Sequence, residues 1–188
     1  MVDEDVRLML AFRGGDDRAF DALFERWAGR VLRFVERMVR EPGVAEDLVQ
    51  ETFLRVWRAR ERYRPEARFS TWLFTIASNL ARNELRRPFR RQRQESMDAE
   101  PEGVKLTLAA TDPPSDAVVD ARRTGLGVGP ALAALPARQR EALWLRAVEG
   151  LSYAEVAAAL GTTESSVKAL IHRARVALVS AVERGGRG

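Results

Sequence analysis

Ala45-Glu46-Asp47-Leu48-Val49-Gln50-Glu51-Thr52-Phe53-Leu54-Arg55-Val56-Trp57 is the stretch on which the reading of this chain turns. On a helical wheel Leu48, Val49, Thr52, Phe53, Val56 and Trp57 share one half, and Asp47, Gln50, Glu51, Leu54 and Arg58 share the other. The first half is core. The second is polar apart from Leu54 and has two readings, a solvated face or a surface for a partner. Periodicity alone favours the solvated face.

Working outward, Val6, Met9, Leu10 and Arg13 predict a short first helix, stopped by Gly14-Gly15-Asp16-Asp17. A second runs from about Asp17 to Arg40. Its Phe20, Leu23, Phe24, Trp27, Val31, Phe34, Val35 and Met38 fall at three- and four-residue steps, and Glu41-Pro42-Gly43 ends it. The third covers Val44 to about Arg62 and the fourth Ser70 to Arg87. No alternating β pattern competes, so the expected class is all-α. From Pro88 to Pro130 prolines and glycines break the period, and this stretch reads as a linker with at most a short helix near Ala117 to Arg123. Helices resume at about Leu132, with Gly150 and Gly161 as stops. The expected organisation is a helical domain at 1–87, a linker at 88–129 and a second helical domain at 130–188.

Charge is distributed unevenly over the 188 residues, whose net charge is +4. Arg82, Arg86, Arg87, Arg90, Arg91 and Arg93 crowd one stretch, opposed only by Glu84. An acidic run from Glu95 to Asp120 follows, with Lys105 among it. Local sign matters more than the total when the partner is a polyanion. The chain has no Cys and one His, His172, which excludes a Cys-based zinc site, a thiol nucleophile and disulfides. The acidic Met1-Val2-Asp3-Glu4-Asp5 start is unlike a secretory signal, and no run approaches the roughly 20 apolar residues that cross a bilayer. A cytoplasmic protein without membrane insertion is expected. Neither a phosphate-binding Gly-rich loop nor a nucleophile–base set can be assembled. An enzyme, a cofactor, a metal site and a small-molecule substrate are therefore not expected.

On the fourth helix Leu73, Ile76, Ala77, Leu80, Ala81 and Leu85 form the expected buried half. Trp72, Thr75, Asn79, Arg82, Asn83 and Arg86 share the opposite stripe. An aromatic among amides and guanidinium groups suits unstacked DNA: the ring stacks on a base, the amides read base edges and the cations hold phosphates. The alternative is that Trp72 packs under the Tyr63 to Phe69 loop and the arginines are merely solvated. Further on, Ser152-Tyr153-Ala154-Glu155 matches a capping box. Val156, Ala157 and Leu160 give a short apolar face, Gly161-Thr162-Thr163 makes a turn, and a longer helix follows. Its apolar stripe is Val167, Leu170, Ile171, Ala174 and Leu178, opposite Ser165, Lys168, Ala169, His172 and Arg173, with Arg175 at the flank. This is a helix-turn-helix pattern, whose second helix enters the major groove. His172 is either a polar DNA contact or an inert surface position.

These motifs together resemble the extracytoplasmic-function subfamily of bacterial RNA polymerase sigma factors. Ala45 to Trp57 is similar to region 2.2, and Phe69-Ser70-Thr71-Trp72-Leu73 through Asn83 to the promoter-melting segment that follows. Ala134-Leu135-Pro136-Ala137-Arg138-Gln139-Arg140-Glu141-Ala142-Leu143, Glu149 to Ala157, Val167-Lys168 and His172-Arg173-Ala174-Arg175 are similar to regions 4.1 and 4.2. The resemblance implies that Asp47, Gln50, Glu51, Leu54 and Arg55 face core polymerase, against its β′ subunit, with β the other partner subunit. It reverses the preference that periodicity gave. It implies that the loop Arg64-Pro65-Glu66-Ala67-Arg68 and the fourth helix capture −10 bases, through Arg64, Arg68, Trp72, Asn79, Arg82, Asn83 and Arg86. It implies −35 contacts from Thr163, Ser165, Ser166, Lys168, His172, Arg173 and Arg175, and control by an anti-sigma factor. The linker is then either threaded through polymerase channels or a solubilising spacer. Many relatives carry Ser-Arg where this chain has Ala169-Leu170, and Leu170 falls on the apolar stripe, so packing is expected of it. The competing reading is a stand-alone helix-turn-helix regulator, which would need a dimerising element that the sequence does not display. A polymerase-binding decoy would have no use for the Trp72–Arg86 stripe.

Overall fold

In a computed structural model, residues 3–39, 41–97 and 128–185 are described. Among them every regular element is helical. Helix α1 (Glu4–Arg13) starts at Asp3, whose carboxylate accepts from the Asp5 amide at 3.2 Å, and buries Val6, Met9 and Phe12. Gly15, at φ 100°, turns the chain into α2 (Asp17–Val39), the long central helix that buries Leu23, Trp27, Val31, Phe34, Val35 and Met38. Arg26 ties the two together through Glu4 at 2.9 Å and Asp5 at 2.6 Å.

Helix α3 (Pro42–Ala59) begins two residues before the expected Val44. Pro42 occupies its first turn, where a missing N–H is harmless and the fixed φ favours helix. Its last expected turn tightens into a 3-10 turn at Arg60–Arg62. Helix α4 (Phe69–Met97) closes the N-terminal bundle. Phe69 and Phe74 reach Trp27 at ring-centroid separations of 6.0 and 6.1 Å, and Phe74 meets Phe34 at 5.4 Å. This helix continues past the expected stop at Arg87. Pro88 withholds its own N–H from the ladder, but the Arg- and Gln-rich turns that follow are good helix formers, and one lost bond does not end the helix.

The C-terminal group consists of α5 (Val128–Ala133), α6 (Ala137–Ala147), α7 (Tyr153–Leu160) and α8 (Glu164–Gly185). Leu135, Ala142, Leu145, Leu151, Val156, Leu160, Val167, Ile171 and Ala174 form its core. Helix thus reaches into both ends of the stretch read as a linker. The short helix expected near Ala117 to Arg123 lies outside the described residues. No described helix is long and apolar enough to cross a membrane.

The two helical groups pack on one another, α7 against α4 and α6 against α2. The Arg140 guanidinium donates to the Met38 carbonyl at 3.3 Å, and Arg30 of α2 pairs with Glu149 at 2.8 Å.

Candidate polymerase and nucleic-acid surfaces

Helix α3 divides much as its wheel predicts. Leu48, Val49, Thr52, Phe53 and Val56 are buried, while Asp47, Gln50, Leu54 and Arg55 are exposed and Glu51 is half-buried. Arg55 and Glu51 form an ion pair at 2.8 Å, one turn apart. Trp57 departs from the wheel. It was expected in the core and is 36% exposed, because α2 and α3 lean apart at this end of the bundle and leave the stripe's margin uncovered. Phe24, also expected among the buried positions of α2, is 41% exposed. The result is a groove of about 300 Å³ lined by Phe20, Phe24, Gln50, Phe53, Leu54 and Trp57. Phe20 and Phe24 were not among the sequence-derived docking residues. Their only signal is their position at the edge of an apolar stripe.

The α4 stripe does not stay together. Arg64 and Arg68 are exposed on the preceding loop, and Asn79, Asn83 and Arg86 are exposed on the helix. Trp72 is half-buried, edge-on to Tyr63 at 4.9 Å and tilted against Phe69 at 5.9 Å. Packing under the Tyr63 loop and exposure to a ligand both apply to it. Its free side forms a wall of an open basin of about 550 Å³ that Arg55, Arg58, Arg62 and Ile76 also line. Phe74, absent from the expected buried half, is fully buried, and Ile76 is only half-buried. Thr71 and Ser78 are buried as well, because the C-terminal helices cover this flank of α4.

Arg82 lies within that covered flank. Its guanidinium donates to the carbonyls of Leu160 at 3.0 Å and Ala159 at 3.4 Å, and to the Asn79 side chain at 2.6 Å. Its Nε sits 3.8 Å from the Glu141 carboxylate. Glu141 is buried among Arg82, Arg138 and Arg140 with Ser78 alongside. Desolvation pushes its carboxyl above the ordinary range in spite of the three cations. Glu155 accepts from the Thr71 hydroxyl at 3.1 Å. Desolvation pulls its pKa upward, but bonds from Ser152 and Thr71 together outweigh that and hold it below the ordinary range.

The helix-turn-helix forms as the spacing predicts. Ser152 and Glu155 make both bonds of the capping box, at 3.2 and 2.7 Å. Gly161, at φ 62°, ends α7 in the left-handed conformation that glycine tolerates. Thr163 caps α8, accepting from the Ser166 amide at 3.2 Å. Val167, Leu170, Ile171 and Ala174 are buried beneath α8, so Leu170 packs, as expected. Ser165, Lys168, His172, Arg173 and Arg175 stand exposed on the opposite face, and Ser166 is half-buried at its start. Among the described residues no group of acidic or imidazole side chains is placed to hold a metal.

Comparison with known proteins bears on both halves. Residues 23–91 match the family described as Sigma-70 region 2, and residues 130–178 match Sigma-70, region 4. The chain is 41% identical over 165 residues to the RNA polymerase sigma factor CarQ of Myxococcus xanthus, covering 88% of this chain and 90% of that protein. It is 33% identical over 174 residues to the ECF RNA polymerase sigma-E factor of Haemophilus influenzae, covering 91% of each. The fold is similar to that of the sigma factor RpoE from Bartonella quintana, solved in complex with the anti-sigma factor NepR. That likeness has a TM-score of 0.65 and 26% identity, and covers 87% of this chain and 96% of the other.

Proposed function

Because this chain belongs to the sigma-70 family, as an RNA polymerase sigma factor of the extracytoplasmic-function type, we propose that its work is divided among three surfaces. As a sigma factor it binds core RNA polymerase and directs it to promoters. The α2/α3 groove, with Asp47, Gln50, Glu51, Leu54 and Arg55, is the surface for the β′ subunit, and the β subunit is engaged elsewhere. Trp72, Asn79, Arg82, Asn83 and Arg86, with Arg64 and Arg68 of the loop, take the unstacked −10 strand. The exposed face of α8 reads the −35 duplex through Lys168, His172, Arg173 and Arg175, while Thr163, Ser165 and Ser166 sit where the start of that helix meets the backbone. Opening of the DNA is driven by binding energy, without a catalytic residue, cofactor or ATP. The protein works in the cytoplasm beside polymerase. An anti-sigma factor, the kind of partner held by the Bartonella quintana relative, controls it.

The observation that carries this assignment is the exposure of Leu54, 48%, inside a groove walled by Phe24 and Trp57. An apolar patch kept open on a small helical bundle suits a partner surface. Combining Asp47→Arg with Leu54→Glu places one charge reversal and one buried charge at that surface. Affinity for purified core polymerase, measured by surface plasmon resonance, should fall by roughly 2 kcal/mol or more, the range of hot-spot residues. Run-off transcription should fall with it, while the circular dichroism spectrum stays unchanged. Undiminished affinity would remove the docking assignment.

A further inference from the structure

In this structure the flank of α4 that carries Arg82 is occupied by the chain's own C-terminal helices. The occupant is chemically apt. The last carbonyls of α7 have no intrahelical partner and carry the negative end of its dipole. Arg82 satisfies two of them, and Arg138 donates to the Leu160 carbonyl as well, at 3.3 Å. Three carboxylates line the same seam: Glu141 near Arg82, Glu149 on Arg30, and Glu155 on Thr71 with Arg68 at 3.9 Å. Oxygen acceptors and negative charge are what a nucleic-acid backbone would offer these cations. By contrast, the α2/α3 groove and the outer face of α8 are open in the same structure.

The closed arrangement also cannot be the promoter-bound one. The roughly 25 base pairs between −35 and −10 span about 85 Å at about 3.4 Å per base pair. A compact chain of this length has a radius of gyration of only about 16 Å. The two halves must part before both elements are held.

We propose that the contact between α4 and the α6–α7 corner is an autoinhibitory latch, in which the C-terminal helices stand in for the −10 strand on Arg82 and its surroundings until the halves separate. This rests on the assignment of α4 to the −10 strand. Polymerase can dock on the open α2/α3 groove of the latched chain. The DNA strand and the latch compete for the same guanidinium, so opening and strand binding are linked.

The chain has no cysteine, so dyes placed at Glu46→Cys and Arg175→Cys, both on exposed positions of opposite halves, report separation by Förster transfer. Arg30→Glu sets two carboxylates against each other at the seam and touches none of the three functional surfaces. It should abolish high transfer and tighten binding of a fluorescein-labelled, mixed-sequence single strand about tenfold, as removal of a competing closed state does. Arg30→Ala should act in the same direction more weakly, and covers the case in which Arg30→Glu misfolds. In the wild-type chain, saturating single strand should lower transfer. Low transfer in the free wild-type chain overturns the latch. So does high transfer that single strand leaves unchanged, or opening by Arg30→Glu without tighter strand binding. Run-off transcription on the same labelled proteins tests the sigma assignment separately: active transcription alongside any of those three results removes the latch alone.

Discussion

Arg82 shows how far a residue's chemistry can be read before its partner is known. The sequence places a cation on a stripe with Trp72 and Asn79. The fold turns that cation onto the carbonyls at the end of α7, leaving its side chain 19% exposed. Trp72 is also shared between two roles. Its ring packs on Tyr63 and Phe69, a kind of contact worth about 0.5–1.5 kcal/mol. Its free side faces the basin, where stacking on an unpaired base is worth about 1–3 kcal/mol. Trp72→Ala should therefore lower the rate of open-complex formation on duplex promoters by about tenfold or more, and much less on templates already mismatched over the −10 element. Permanganate footprinting of unpaired thymines measures this. An equal loss on both templates would assign the ring to packing alone.

At the scale of the element, α7 is specified locally. The capping box, the short apolar run and Gly161 at φ 62° define start, face and stop within one short segment. Replacing Ser152 with Ala removes the acceptor for the Glu155 amide and should cost about 1 kcal/mol of stability. Urea titration of the purified chain should register it as a lower midpoint with an unchanged slope, and no shift would mean that water serves the amide equally well. Helix α4 is the counter-example. Its start and its core face are legible, but its end is not, because Pro88 reads as a stop and the helix continues to Met97. The α2/α3 groove was hidden for a related reason. Phe20, Phe24 and Trp57 have the spacing of core residues, and periodicity does not reveal whether a neighbouring helix reaches the stripe's edge.

The whole molecule adds a proton-sensitive seam. Closure buries Glu141 beside Arg82 of α4 and Arg138 and Arg140 of α6, and desolvation raises its carboxyl pKa. The closed form then binds a proton more readily than an open form with Glu141 in water. By linkage, this contribution to closure is complete below the pKa of an exposed glutamate and is lost as pH rises through the raised value. Glu155 runs the other way: its pKa is lowered, so its stabilisation holds above the ordinary carboxylate range and is lost as pH falls below it. Between neutral pH and about 5, Glu141 is the one of the two that titrates. Förster transfer between the halves should therefore rise as pH is lowered across that window. Glu141→Gln should flatten the response, and a flat wild-type profile would show that closure leaves Glu141 hydrated.

What the sequence by itself determined is local and periodic: an all-α chain, helical segments in order, a capping box, a helix-turn-helix with Leu170 turned inward, and the motifs of regions 2 and 4. These depend on three- and four-residue spacing and on residues within a turn of each other, which any helix expresses wherever it sits. Only the tertiary structure decided which stripes stay open and which are covered. Arg82 meets Leu160, Arg30 meets Glu149 and Thr71 meets Glu155 across separations of 78, 119 and 84 residues. Such pairings have no period, because they arise from the packing of one finished helical group on another.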